Sequence, residues 1–270
     1  MGSRVVRHGE VISLEIRQTI SSRYHTITKA INREFWNSTS DTLHSFYAGS
    51  YGRGTAVDTS DVDIIVELPE NDYKRFDTLR GNGQSRLLQA VKNAIQVSYP
   101  RTDVRADGQV VVLKFSDGMK MEIVPAFRYE YILPYNHVEY LYPDTNNGGN
   151  WKSTNPKTEQ DAIKEKNSSS NGLLLDTCKH IRFVRDNHFS SYHLSGIVID
   201  SFVYQNIGNW RWINNESDGA PSEPYAFEKS LLASFNSNRW NDLYTPGSNQ
   251  LLNRSDYDIL EKVLKYMAVE

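Results

Sequence analysis

A single cysteine, Cys178, in 270 residues leaves no partner for a disulfide and too few thiols for a cysteine-ligated zinc site. No stretch approaches the ~18 consecutive apolar residues of a membrane-spanning helix, and no signal-peptide apolar core opens the chain. Positive charge has no surplus. Thirty Lys and Arg stand against 33 Asp and Glu, for a net charge of −3, so the global basic field that holds proteins on nucleic-acid backbones is missing. The seven histidines show no paired metal-ligand spacing, and no internal repeat is visible. These absences lead to an expectation of a cytoplasmic chain in a reducing compartment, with no membrane contact and no duplex nucleic acid as partner. The length suits one large domain or two lobes sharing a core.

The patterning that is present divides the chain. Ile12, Ile16, Ile20, Tyr24, Ile27, Ile31 and Phe35 recur at steps of three and four, one apolar stripe on a long helix. Strand patterns follow at Leu43 to Ala48 and Asp61 to Leu68, and Val110 to Phe115 and Met119 to Val124 flank the turn signal Asp117-Gly118. Tyr129 to Pro143 is mixed, and Asp144 to Asn150 reads as a loop. Asn155-Pro156 suits a helix cap and first turn, with helices expected over 157–166, 173–187, 194–207, 224–236 and 255–268. Ser255 to Asp258 resembles a capping box, and Ser168 to Gly172 reads as a short linker. The fold class expected is α+β: a mixed sheet lobe with an N-terminal spine helix over 1–155, then a helical lobe over 156–270.

The chemistry concentrates between residues 49 and 63. Gly49-Ser50 forms a turn whose backbone N–H groups can bind phosphates, with Ser50 adding a hydroxyl and Arg53 a charge. Along the strand from Asp61, Val62, Ile64, Val66 and Leu68 take one face, and Asp61 and Asp63 take the other. Two carboxylates pointing the same way suit a pair of hard divalent cations such as Mg2+. A third carboxylate on a neighbouring strand completes such a site, and Glu122, turned away from Met121 and Ile123, is the best-placed candidate.

The Gly-Ser turn, Asp61-Val62-Asp63 and Glu122-Ile123-Val124-Pro125-Ala126 together resemble the DNA polymerase β-type nucleotidyltransferase superfamily, and within it the bacterial cGAS/DncV-like nucleotidyltransferases. Trp151 to Pro156 resembles that family's link into its helical lobe, and the likeness runs over roughly residues 10 to 205. The resemblance implies a two-lobed fold that joins nucleoside triphosphates, ATP or another, into a cyclic di- or trinucleotide with two Mg2+ or Mn2+. It also implies a product-sensing effector protein as partner in anti-phage defence. Carried over residue by residue, it makes Lys179 and Ser191 triphosphate contacts and Tyr192 a base-stacking group. The third acid departs from the usual aspartate, and the extra methylene moves its oxygens by about a bond length.

Plainer readings stand beside these. An aspartate pair alone is more often a solvated strand edge, a helix lysine such as Lys179 a solvated charge, and Tyr192 ordinary packing in a chain with 16 tyrosines. A transferase acting on an RNA, DNA or protein acceptor would use the same residues. A catalytically silent nucleotide-binding homologue is the reading from a different class.

Overall fold

The computed structural model describes residues 2–58, 61–131, 137–213 and 223–269. Two compact units divide the chain. A sheet unit comprises Ser13–Gly52 and Ser60–Asn155, and a helical unit comprises Met1–Ile12, Arg53–Thr59 and Pro156–Glu270. The expected boundary after residue 155 is present, but residues 1–12 and 53–59 group with the helices instead of the sheet. Both segments lack an apolar repeat of their own and are placed by side-chain bonds into the helical unit, described below.

In the sheet unit the apolar stripe forms α1 (Leu14–Phe35), opened by Ser13, whose hydroxyl accepts from the Ile16 amide. Its buried face includes Ile20, Tyr24, Ile27 and Ile31. Its main packing partners are α4 (Gly83–Ser98) and β2 (Val62–Glu67). The strands are β1 (Ser45–Tyr47), β2, β3 (Asp103–Asp107), β4 (Val110–Lys114), β5 (Lys120–Tyr131), β6 (His137–Asp144) and β7 (Asn150–Thr154), with the short α2 (Gly49–Arg53) after β1 and α3 (Glu70–Asp77) after β2. They make one seven-stranded sheet in which β1-β2-β5-β4-β3 are neighbours and β6 and β7 extend from the far half of β5. All pairings are antiparallel except β2 with β5.

Several expectations are corrected here. The mixed segment from Tyr129 is strand on both sides of residues 132–136, which fall outside the described residues. The loop expected over Asp144 to Asn150 is present between β6 and β7 and holds one 3-10 turn, Asn146–Gly148, with its two end residues and Trp151 in the strands. The far face of β2 is not wholly polar either. Ile65 is buried against Ala48, Ala126 and Tyr140, so only the Asp61–Asp63 end of that face is open to chemistry.

The helical unit contains α5 (Pro156–Ser169), α6 (Leu173–His188), α7 (Gly196–Asn206), α8 (Ala226–Asn238) and α9 (Tyr257–Ala268). Their core includes Leu174, Ile181, Ile199, Val203, Leu231, Leu260 and Val263. Ser168 and Ser169 finish α5 instead of forming a linker. At α9 the capping residue is Asp256, whose carboxylate accepts from the Ser195 amide (2.7 Å) and makes no cap bond to its own helix. None of the helices among the described residues is long and apolar enough to cross a membrane.

The N-terminal segment lies on this unit as a strap. The Val5 amide donates to Glu228 Oε1 (2.8 Å), the His8 amide to Asp176 Oδ1 (2.9 Å), and Lys179 Nζ to the Gly9 carbonyl (2.8 Å). His8 Nε2 lies 3.0 Å from His180 Nδ1, and Ser3 Oγ lies 3.1 Å from His180 Nε2. Burial, with His8 acting in the same direction and the Ser3 carbonyl opposing, lowers the His180 pKa to about 4. Burial also lowers the His8 pKa, against Asp176 and with Lys179. The unfolded chain therefore takes up a proton at His180 before the folded one does. Stability contributed here is complete above the ordinary histidine pKa and falls away between about pH 6.5 and pH 4, by up to roughly 3 kcal/mol. Thermal melts across that range are expected to show a smaller acid loss in His180→Asn than in the parent. Equal losses would remove His180 as the cause.

Candidate active site

The open end of β2 is built by strand register. In the parallel β2–β5 pair Asp63 is the direct partner of Glu122, Val62 of Met121 and Ile64 of Ile123. Neighbouring strands run ~4.8 Å apart, so the Asp63 and Glu122 carboxylates leave adjacent positions on one face. Asp61, two residues before Asp63, shares that face. Met121 and Ile123, fully buried, hold the other.

Carboxylates this close repel unless a cation stands among them. Lys120 provides one. Its Nζ donates to Asp61 Oδ2 (2.7 Å) and pairs with Glu122 Oε1 at 2.6 Å. Burial works against the ammonium charge, but the bonds to Asp61 and Glu122 outweigh it and hold the Lys120 pKa above its ordinary value. This lysine was missed in the sequence because a strand lysine two residues before an acid is unremarkable until the neighbouring strand is known. Its own alternation with Glu122, period two, was the available signal.

The phosphate-turn candidate closes on the same carboxylates. Gly49 opens α2 with φ +55°, and a Cβ placed on it would lie 1.7 Å from Asp63 Oδ2. The Ala48 amide donates to the Asp63 carbonyl (2.8 Å), which locks the turn to the strand. Glycine is needed here for two reasons, the left-handed backbone and the space taken by the Asp63 side chain. Gly49→Ala is expected to displace that carboxylate, reducing turnover by ~100-fold with a stability loss of about 1–2 kcal/mol. Initial rates and melting curves of the purified variant check both.

The remaining candidates have other surroundings. Arg53 does not present a free charge. Its side chain is 7% exposed, Nε binds Asp200 Oδ2 (2.9 Å) and one terminal nitrogen binds Glu159 Oε2 (3.2 Å), all within the helical unit. That corrects the expectation that Arg53 grips phosphate, because releasing it would take from buried Glu159 its guanidinium partner and from buried Asp200 one of two. Lys179, Ser191 and Tyr192 also belong to the helical unit. Lys179 is bound to Gly9, Ser191 is exposed, and the half-exposed Tyr192 ring has the Lys262 ammonium 4.4 Å from its centroid. Gly49, Asp61, Asp63 and Glu122 are thus brought together in one unit.

As a donor set the three carboxylates suit a hard divalent cation, since oxygen ligands of this charge are what such ions take. They are not gathered around one point: among the described residues no group of three His, Cys, Asp or Glu side chains is assembled to hold a metal. The ammonium of Lys120 bridges two of the three.

Residues 10–167 match the family described as the Second Messenger Oligonucleotide or Dinucleotide Synthetase domain, SMODS. This chain belongs to the SMODS family. The match covers the whole sheet unit from before α1 through β7, including every residue of the carboxylate cluster. Among relatives of this SMODS chain, a probable cyclic nucleotide synthase of Bacillus cereus is 26% identical over 177 residues, 62% of this chain and 52% of that protein. The cyclic AMP-AMP-AMP synthase of an Acinetobacter species is 26% identical over 164 residues, 60% of this chain and 45% of that protein. The chain spans about half the length of these curated relatives. In fold it is similar to the CdnE cyclic dinucleotide synthase of Elizabethkingia meningoseptica, with a TM-score of 0.67 at 17% identity over 97% of this chain and 93% of that one. The α+β architecture expected from the sequence is therefore the architecture of this SMODS chain.

Proposed function

We propose that this chain is a template-independent nucleotidyltransferase that joins nucleoside triphosphates into a cyclic di- or trinucleotide. One observation carries the reading: the parallel register sets Asp63 beside Glu122, with Asp61 on the same face and Gly49 closed against the Asp63 carboxylate. Asp61, Asp63 and Glu122 would hold Mg2+ or Mn2+. Two such ions, when bound, supply Lewis acidity at the attacking and leaving oxygens. The α2 turn at Gly49-Ser50 binds donor phosphates through backbone N–H groups. The ribose hydroxyl oxygen of one nucleotide bonds to the α-phosphorus of another as the bond to pyrophosphate breaks. The hydroxyl proton passes to a carboxylate of the cluster. Further such steps close the ring, the second for a dinucleotide and the third for a trinucleotide. Lys179 and Ser191 contact the triphosphate and Tyr192 stacks on a base, a proposal supported by their likeness to the family's segment. The product acts on an effector protein in anti-phage defence, with synthesis drawing on the cytoplasmic nucleotide pool.

The deciding experiment incubates the protein with each radiolabelled nucleoside triphosphate, alone and mixed, in Mg2+ or Mn2+, followed by phosphatase and chromatography. A phosphatase-resistant product that the Asp61→Asn/Asp63→Asn variant does not make supports the reading, and its label pattern names the bases. Product that appears only with an added acceptor supports the acceptor-modifying reading instead. A silent nucleotide-binding protein is favoured by one specific feature, the neutralisation of two of the three acids by Lys120. Triphosphate binding without turnover in either metal would support it.

A further inference from the structure

Lys120 is absorbed by neither the family resemblance nor the chemistry above, yet it makes the shortest polar contacts described in the cluster. It leaves β5 on the same face as Glu122, two residues on, and reaches across the parallel pair to Asp61, 59 residues away in sequence. Its side chain is 32% exposed, Asp61 46% and Glu122 26%, so the ammonium sits at the rim of the cluster and has solvent to move into. Both of its bonds use carboxylate oxygens that a divalent cation would need.

We propose that Lys120 is an internal counterion of the carboxylate cluster, a positioning residue that competes with the divalent cation for Asp61 and Glu122. The inference rests on the reading that Asp61, Asp63 and Glu122 hold the metal. Without metal, Lys120 cancels the repulsion that three acids at the end of two neighbouring strands would otherwise carry. A cation entering the cluster must take Asp61 and Glu122 from it. The measured metal affinity is then the intrinsic affinity reduced by the fraction of molecules in which Lys120 has swung away. If the bridged arrangement is favoured about tenfold, the cost in affinity is about tenfold. The lysine therefore keeps the site from filling with metal alone and makes occupancy depend on cations arriving with the added negative charge of a triphosphate.

A neighbouring lysine separates this competition from a general charge effect. Lys114 on β4 is the direct antiparallel partner of Lys120, exposed, and forms no bond to the cluster among those described. The experiment titrates Mn2+ into the nucleotide-free protein and follows free Mn2+ by electron paramagnetic resonance. Lys120→Met and Lys120→Gln are expected to bind Mn2+ on the order of tenfold more tightly than the parent, with Lys114→Met within about twofold of it. Unchanged affinity in both Lys120 variants, or the same gain in Lys114→Met, overturns the proposal. So does the absence of Mn2+ binding in parent and variants alike. The Asp61→Asn/Asp63→Asn variant distinguishes the two levels of inference. If it binds Mn2+ as the parent does, the metal-site reading fails. If it loses Mn2+ while Lys120→Met gains nothing, only the role of Lys120 fails.

Discussion

Asp63→Asn is expected to lower cyclic product formation by at least ~1,000-fold, equivalent to about 4 kcal/mol of transition-state stabilisation, with the melting temperature nearly unchanged. Asparagine has the volume of aspartate, so it fits the space that Gly49 leaves against the side chain, and the Ala48–Asp63 backbone bond that holds the turn is untouched. What disappears is one negative charge at the place where the proposed reading needs cations and a reacting hydroxyl to be oriented. Asp61→Asn is expected to act in the same direction and additionally to weaken one of the two Lys120 bonds. Product assays beside circular-dichroism melts measure the split between activity and fold. A purified Asp61→Asn/Asp63→Asn protein that still makes product would end the assignment of these residues.

Asp200→Ala should be the most destabilising single change in the helical unit, costing about 3–5 kcal/mol. Asp200 is wholly buried and takes Arg182 (2.7 Å), Arg53 (2.9 Å) and the Thr55 hydroxyl (2.8 Å). Among the described residues, removing it leaves Arg182, itself 1% exposed, with the Cys178 and Gly196 carbonyls as hydrogen-bond acceptors, and leaves Arg53 paired with Glu159. A melting temperature lowered by roughly 10 °C is the expected reading, with Asp200→Asn intermediate because it keeps acceptor geometry and loses charge. A melting temperature within a degree or two of the parent would show that the pairing contributes little net stability.

Acidity tests the same cluster. Burial pushes the Asp200 pKa up, but Arg182 and Arg53 prevail and bring it down to about 2. A carboxylate depressed in the folded state contributes stability that is complete above its unfolded pKa of ~3.9 and is lost as pH falls toward 2. Glu159 moves the other way. Burial raises its pKa, Arg53 opposes as the one cation paired with it among the described residues, and the Asp200 charge nearby raises it further. The two acids therefore titrate apart although they share Arg53, because Asp200 has two guanidinium groups and Glu159 has one.

What the sequence by itself determined is what local periodicity can carry. Alternation over Asp61 to Leu68 put Asp61 and Asp63 on one face, and the turn signal Asp117-Gly118 set Glu122 on the following strand. The three-and-four spacing from Ile12 to Phe35 defined a helix that buries Ile20, Tyr24, Ile27 and Ile31, while Ile12 precedes it and Ile16 and Phe35 are only half-buried. Each depends only on the geometry of one strand or helix. Only the tertiary structure decided that β2 and β5 run parallel with Asp63 opposite Glu122, since register between strands is a property of the pair. It also decided that Lys120 lies between two acids and that Arg53 is locked to Asp200, 147 residues away. An arginine three residues past a Gly-Ser turn reads as a phosphate ligand until the buried carboxylates that claim it are placed. Long-range ion pairs leave no local trace in sequence, because their energy comes from desolvation and partners that folding alone brings together.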